Sequence, residues 1–260
     1  SRTPIEQYLS AVESILQTVR AQQEALETAA DWFAQSILQG RLVHLFGAGH
    51  SRIMVEEMWP RYGSFPGFNP IVELSLTFHN QVSGANGQRQ AMFLENVAGF
   101  AGKILRNFDI ASDDSALIIS SSGTSVVPVE MAEELQEKGV TVVGMLSQKH
   151  SDASEAKRED GKKLGDFSDM VLDTGAPVGD AAVEISGLTE KVAPLSTLGG
   201  VALVNAIKAE VAERLVKGGA SPKVLAAACT AGADRSKELF EAAYDEHSRR
   251  MAKLYENLGT

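Results

Sequence analysis

Two stretches of the chain place a loop of small residues directly after a short apolar run and directly before a helical pattern. In the first, residues 41–46 lead into Gly-Ala-Gly-His-Ser at 47–51. In the second, residues 116–119 lead into Ser-Ser-Ser-Gly-Thr-Ser at 120–125. Short branched runs of this kind are typical of strands that are buried on both faces of a parallel sheet. Because such strands alternate with helices along the chain, the sequence predicts a doubly wound α/β fold.

The hydrophobic pattern predicts the other elements of this fold. Residues 140–146 and 169–172 are predicted strands, and 5–39 carries apolar residues every three or four positions, as in an amphipathic helix. We expect an N-terminal helical segment at 1–40 and one α/β domain at 41–260. A further helix is predicted from the end of the loop at 47–51 to about residue 61. Others are predicted at 91–108, 126–138, 151–159, 197–216 and 235–258.

One long stretch, residues 63–90, is rich in Gly, Asn, Ser and Pro and carries no clear period. Most connections in compact domains are much shorter, and long irregular loops often have a function. We therefore expect this stretch to line a site.

The composition excludes several classes of protein. With 260 residues, 44% of them hydrophobic, the chain can bury a large core without a disulfide or a structural zinc ion. Cys229 is the only cysteine, and it is expected to be buried, in a protein of the reducing cytoplasm. The sequence contains no run of 18 apolar residues, so no membrane span is predicted. The formal net charge of −10 argues against a nucleic-acid-binding surface.

The segment 120–125 has the features of an anion-binding loop. A helix is predicted directly after it, and the first N–H groups of a helix have no partner within the helix. The helix dipole favours negative charge at that end, and short hydroxyl side chains add donors without blocking access. The alternative is a turn rich in Ser and Thr that only caps the helix.

Hydroxyl side chains follow three successive predicted strands. Because the carboxyl ends of parallel strands meet at one edge of a sheet, these side chains are expected to converge on one ligand. The segment 47–51 lacks the third glycine and the acidic residue of a dinucleotide fingerprint, so no redox cofactor is predicted. The candidate binding residues at the strand ends are Ser51, Ser120, Ser122, Thr124, Ser125 and Ser147.

Four motifs resemble those of the SIS (sugar isomerase) domain family: FGAGHS at 46–51, ISSSGTS at 119–125, GMLSQKHS at 144–151 and PLSTLGG at 194–200. The resemblance covers nearly the whole chain. It implies a five-stranded parallel sheet that is flanked by helices and binds a phosphosugar. The segment GHSRIMVEEMWPRYGS at 49–64 is similar to the phosphoheptose-isomerase-like branch of that family.

The resemblance also assigns roles to individual residues. The zinc-binding phosphoheptose isomerases carry a His and a Glu one turn apart on the helix after the first Gly-rich loop. Glu57 and Arg61 stand at about those places here, so no metal site is predicted, and Arg61 is a candidate substrate ligand. An (i, i+4) pair of this kind can also be only a surface salt bridge. The residues that the resemblance assigns to the anionic group are Ser51, Ser120, Ser122 and Ser125.

Aldose–ketose isomerisation needs a base that removes the proton beside a carbonyl and an acid near the two oxygens. Glu57 lies about two turns into the helix after the first loop, Glu95 begins a later helix, and His79 lies within the long irregular stretch. These three are the candidate catalytic residues, and each can also be an ordinary solvated or hydrogen-bonded side chain.

The other histidines divide into three cases. His44 alternates within an apolar strand and is expected to be structural. His150 follows a strand end, where it can line the pocket. His247 lies on the last helix, where it can reach a neighbouring subunit's site or lie on a solvated face.

The sequence therefore predicts an enzyme that interconverts the aldose and ketose forms of a sugar with a terminal phosphate or, as an open variant, a sulfonate. One alternative is a phosphosugar-binding or sensor module without catalysis, and another is a lyase or etherase for an amino-sugar phosphate. A homodimer or homotetramer is expected, because the apolar stripe at 5–39 can pack against a second copy. The stripe can instead fold back on its own domain.

Overall fold

The fold is built around one parallel sheet. A computed structural model describes residues 2–77 and 84–259. Its strands are β1 (Val43–Gly47), β2 (Phe68–Ile71), β3 (Ser115–Ile119), β4 (Thr141–Leu146) and β5 (Met170–Asp173). They lie in the order β2-β1-β3-β4-β5, and every neighbouring pair is parallel. The predicted doubly wound sheet of five strands is thereby confirmed.

Helices fill the connections between the strands and cover both faces of the sheet. They are α1 (Pro4–Arg20), α2 (Gln23–Leu38), α3 (Arg52–Met58), α4 (Gln88–Leu94), α5 (Phe100–Leu105), α6 (Val126–Glu137), α7 (Gln148–Ala153), α8 (Ser196–Lys217), α9 (Ala228–Ala231) and α10 (Ala233–Ala252). In the described ranges, no helix is long and apolar enough to cross a membrane.

The structure differs from the sequence-based prediction in three elements. The single helix predicted at 5–39 is two helices, and the one predicted at 91–108 is also two, because Gly99 adopts a left-handed φ of 82° before α5. Strand β2 lies inside 63–90, which the sequence pattern left without a strand. It is an edge strand and contains Pro70, which an edge tolerates because its missing N–H can face away from the sheet.

The break between α1 and α2 has a tertiary cause. It falls at Gln22, whose side-chain amide donates to the carbonyl of Asp173 at 2.8 Å and accepts the Asp173 N–H at 2.7 Å. Asp173 is the last residue of β5. The two helices therefore bend where they are tied to the edge of the sheet.

Helix α2 packs its apolar side on the protein's own sheet. Phe33 is fully buried, and it shares a core with Val43, Leu45 and residues of α8. Of the two arrangements that the sequence left open, the α2 part of the stripe folds back on its own domain. The start of α1 differs, since Ile5 and Leu9 are 71% and 55% exposed.

A buried charge network lies where β1 meets β3. The carboxylate of Asp114 accepts two hydrogen bonds from the Arg41 guanidinium, at 2.7 and 2.9 Å, and one from Nε2 of His44 at 2.9 Å. The N–H of Ala111 donates to it at 2.9 Å, and Asn69 donates to Nδ1 of His44 at 3.0 Å. Burial by itself would raise the pKa of Asp114, but the bonds from His44 and Arg41 outweigh it and lower this pKa to about 2. His44 is therefore structural, as the sequence predicts.

Two glycines allow the strand ends to turn tightly. A Cβ atom on Gly47 would lie 2.6 Å from the carbonyl oxygen of Ser51, so only glycine fits where β1 enters its loop. Gly123 has a φ of 65°, in the left-handed region that favours glycine. Both loops are thus shaped by residues without a side chain.

Candidate active site

A cleft of about 830 Å³ opens at the carboxyl edge of the sheet. From β1 the chain proceeds to β2 on one side, whereas β3, β4 and β5 lie on the other, so the strand order switches between β1 and β3. The segments 48–51 and 120–125 leave the sheet at this point, and both line the cleft. In open α/β sheets ligands bind at such a switch point.

The structure brings most of the candidate residues into this one cleft. Those that line it are Ser51, Glu95, Ser120, Ser122, Thr124 and Ser125. Three others, Glu57, Arg61 and Ser147, are not among the lining residues. His79 lies outside the described residues.

The loop at 120–125 is held in shape by its own hydrogen bonds. The Ser122 and Thr124 hydroxyls lie 2.9 Å apart, and Ser122 Oγ also accepts the Thr124 N–H at 3.2 Å. The Gly123 N–H donates to the carbonyl oxygen and the hydroxyl of Ser120, at 3.1 and 3.2 Å. Ser121 Oγ is buried at the cleft, and no hydrogen-bond partner for it lies in the described part of the chain. A ligand oxygen would satisfy this hydroxyl.

The first turn of α6 does not match the sequence-based expectation of unpaired N–H groups. The N–H of Val126 donates to the side-chain oxygen of Asn96 at 3.3 Å, and that of Val127 donates to the carbonyl of Glu95 at 2.8 Å. The next residue, Pro128, has no N–H. The residues that follow α4 therefore occupy the two amides that the sequence assigned to an anion.

Glu95 places a carboxyl group beside the anion-binding loop. It is half-buried, and Oε1 accepts a hydrogen bond from the Ser125 hydroxyl at 3.1 Å. Burial raises the pKa of this carboxyl above its ordinary value, against smaller opposing effects of Ser125 and of the positive charge of Lys157. A carboxyl with a raised pKa in a cleft is a candidate to accept and return a proton.

Glu57 has different surroundings. Its carboxylate accepts hydrogen bonds from Arg61 at 2.7 Å and from Asn205 at 2.9 Å, on the side of α3 that faces α8. Burial acts to raise the pKa of Glu57, but these two bonds outweigh it and the pKa is lowered. Its backbone carbonyl accepts from Lys208, whose pKa is lowered to about 8 mainly by burial. The (i, i+4) salt bridge with Arg61 is thus present, and it lies outside the cleft.

Ser147 has a positioning role in the structure. Its hydroxyl donates to the carbonyl of Ala176 at 2.7 Å and accepts the N–H of His150 at 3.2 Å. Ser147 is fully buried and is not among the residues that line the cleft. It ties the start of α7 to the segment after β5 and thereby places His150, which does line the cleft.

Two further expectations concern residues away from the cleft. His247 packs on Trp59, with 5.3 Å between the ring centroids, and burial lowers the pKa of His247. Cys229 was expected to be buried, but it is exposed. Cys229 lies on the short helix α9, which has no buried residue. The sequence around Cys229 gave no sign that this helix lies on the surface.

Several lining residues carried little or no signal in the sequence. Ser121 stood in the serine run without being singled out, and His50 stood in the first loop. Lys157 and Thr197 come from segments whose approach to the cleft depends on the tertiary fold. Within residues 2–77 and 84–259, no group of three or more His, Cys, Asp or Glu side chains is placed to hold a metal ion.

The fold and the cleft define a doubly wound α/β protein with a hydroxyl-lined site at its switch point. The chain belongs to the SIS domain family, whose sequence model matches residues 7–147. The family assignment that the sequence motifs suggested is confirmed.

Curated relatives are similar over nearly the full chain. A UPF0309 protein of Listeria innocua is 31% identical over 93% of this chain and 97% of its own length. A UPF0309 protein of Brucella abortus is 34% identical over 86% of this chain and 88% of its own length. These names state no activity.

Solved structures with the same fold are more distant in sequence. The Vibrio vulnificus NanR protein complexed with ManNAc-6P has a TM-score of 0.50 and 16% identity, covering 92% of this chain and 67% of that chain. A phosphoheptose isomerase from Francisella tularensis has a TM-score of 0.49 and 15% identity, covering 78% of this chain and 93% of that chain. At such identities the likeness is one of fold alone.

Proposed function

We propose that this protein interconverts the aldose and ketose forms of a sugar that carries a terminal anionic group, with phosphate as the first choice. The observation that carries the proposal is the pairing, in one cleft, of a hydroxyl-lined loop with the raised-pKa carboxyl of Glu95. The loop at 120–125 binds the anion, and Glu95 moves the proton.

The chemistry follows from these two groups. The carboxylate of Glu95 removes the proton from C2 of the open-chain aldose. The electron pair of that C–H bond forms the C1–C2 double bond while the carbonyl electron pair moves onto O1, which gives an enediolate that exchanges its oxygen-bound proton with solvent. The proton then returns to C1 while the hydroxyl at O2 loses its proton, which leaves a ketone at C2. The substrate is neither oxidised nor reduced overall.

Neutral hydroxyl donors do not distinguish one tetrahedral anion from another. The loop at 120–125 contains no Lys or Arg, and Lys157 lies elsewhere in the lining. Hydroxyl groups bind the oxygens of any tetrahedral oxyanion, so a sulfonate satisfies the same donors as a phosphate.

A two-part experiment tests the proposed function. A panel of aldose phosphates and sulfonated aldoses is screened by thermal shift, because a ligand that binds the native state raises the unfolding temperature. Each hit is then followed by proton NMR in deuterated water. We expect at least one hit to exchange its C2 proton and to yield the ketose. Hits that bind without exchange would instead indicate a binding module, and loss of a sugar substituent would indicate a lyase or etherase.

The anion-binding loop is tested by the pair Ser122→Asp and Ser122→Asn. Both variants replace the hydroxyl by a larger polar group, but only aspartate adds a negative charge. We expect Ser122→Asp to weaken the binding of the hit sugar at least about tenfold relative to Ser122→Asn, because like charges repel at short range in a partly buried site. Isothermal titration calorimetry measures both affinities. Equal affinities would mean that the anion lies elsewhere.

We further propose that the protein is a homodimer or homotetramer. The exposed start of α1 and a segment before α8 together form an apolar groove. Ile5 and Leu9 line the groove from α1, and Val183 and Val192 line it from the segment before α8. Multi-angle light scattering behind a sizing column is expected to give at least twice the mass of one chain. A monomer at micromolar concentration that is fully active would contradict this proposal.

A further inference from the structure

His150 is held in place by hydrogen bonds at three points. Its backbone N–H donates to Ser147 Oγ at 3.2 Å, and its carbonyl accepts from the Ser154 hydroxyl at 2.7 Å. The N–H of Gly179 donates to Nδ1 of the ring at 2.8 Å. The backbone and the ring plane are therefore both fixed, and the segment after β5 is tied to α7.

The contact with Gly179 determines where the ring carries its proton. A backbone N–H can only donate, so Nδ1 must present its lone pair. The single proton of the neutral imidazole is then on Nε2. The contact therefore fixes the tautomer of the imidazole, with Nδ1 as the acceptor and Nε2 as the donor.

The ring lines the same cleft as Glu95 and the loop at 120–125. Within residues 2–77 and 84–259, no protein atom forms a hydrogen bond with Nε2. We infer that His150 donates its Nε2–H to the sugar oxygens at the two carbons that exchange the proton, and so stabilises the enediolate that forms there. This inference rests on the proposed function.

A neutral imidazole is well suited to this task. Negative charge develops on the oxygens when Glu95 removes the carbon-bound proton, and a fixed donor in a cleft stabilises that charge without having to reorganise. Neutral imidazole can polarise a carbonyl in this way while the base is a carboxylate. Glu95 and His150 then have complementary roles, because one accepts a proton and the other donates a hydrogen bond.

Two substitutions separate the two ring nitrogens. His150→Asn places an amide near the position of Nδ1, where its oxygen can still accept the Gly179 N–H, but it leaves no donor at the position of Nε2. His150→Gln places an amide N–H near the position of Nε2 and gives up the contact with Gly179. The pair thus distinguishes loss of the catalytic donor from loss of the structural contact.

The measurement is the rate of deuterium exchange at saturating sugar, together with the affinity for inorganic phosphate and the unfolding temperature. We expect His150→Asn to lower the exchange rate by about 10²–10³-fold, the usual effect of removing one such donor, with phosphate affinity and unfolding temperature close to those of the wild type. His150→Gln is expected to exchange at least about tenfold faster than His150→Asn, since it restores a donor.

The outcomes distinguish this inference from the proposed function. If the wild type exchanges the sugar proton and His150→Asn does so at the same rate, the role of His150 is refuted and the proposed function stands. Phosphate affinity that falls as far as the exchange rate would also refute it, because His150 would then be a binding residue only. If the wild type exchanges no proton with any sugar of the panel, both are refuted.

Discussion

Glu95→Gln is expected to lower the rate of proton exchange by about 10²–10⁴-fold, the range that general acid–base catalysis contributes. Glutamine keeps the size of the side chain, and its oxygen can still accept the hydrogen bond from Ser125, so the loop should keep its shape. What the variant loses is a group that can take up a proton. Affinity for the sugar should stay within a few-fold of the wild-type value, as measured by calorimetry beside the NMR assay.

Two matched variants serve as controls for this prediction. Glu155→Gln makes the same chemical change at an exposed position of the same cleft, and its exchange rate should be close to that of the wild type. Glu57→Gln tests the residue that the sequence motif favours. If Glu57→Gln abolishes exchange and Glu95→Gln does not, the base is Glu57, and it must then act on a substrate outside the cleft described above.

Asp114→Asn is expected to lower the free energy of unfolding by about 3–5 kcal/mol, as when one partner of a buried ion pair is removed. The Asp114 carboxylate is surrounded by hydrogen-bond donors, which are Arg41, His44 and the N–H of Ala111. An asparagine would point its own NH₂ group at one of them and leave Arg41 without its ion-pair partner, with only its hydrogen bond to the Asp109 carbonyl kept. Urea denaturation measures the loss, with the exposed neighbour Asp113→Asn as a control that should change stability little.

The same carboxyl predicts how stability depends on pH. Its pKa is about 2 in the folded protein and 3.8 as an ordinary value, which corresponds to about 2.5 kcal/mol of stabilisation. Because the folded pKa is the lower one, this contribution is complete well above pH 4 and is lost as the pH falls from about 4 towards 2. The part of acid destabilisation that is due to Asp114 should be missing in Asp114→Asn. An identical acid limb in the variant and the wild type would contradict this assignment.

The arrangement of strands and loops was largely readable from the sequence. Runs such as 116–119 are apolar at every position because both faces of the sheet are covered, and Gly47 and Gly123 mark turns that larger residues cannot form. Because the strands are parallel, their carboxyl ends lie at the same edge of the sheet, and the hydroxyls of Ser51 and Ser122 meet there. These conclusions depend on local sequence together with one topological rule.

The details of the site were less predictable. The motif favoured Glu57, but α3 turns this residue towards α8, where Arg61 and Asn205 bind it. The predicted amides of α6 are taken by Asn96 and by the carbonyl of Glu95, two groups about thirty residues earlier in the chain. Strand β2 was missed because an edge strand of four residues with a proline has no period to detect.

The sequence by itself determined the class of fold, the family and the position of a hydroxyl-rich loop at a strand end, because each depends on residues that are close together in the chain. The tertiary structure decided which carboxyl lies beside that loop, since the pairing of Glu95 with Ser125 joins α4 to the start of α6. It also decided the state of His150, whose ring is fixed by the N–H of Gly179. The pKa of a carboxyl and the tautomer of a histidine depend on burial and on hydrogen-bond partners, and the folded chain alone brings those partners together.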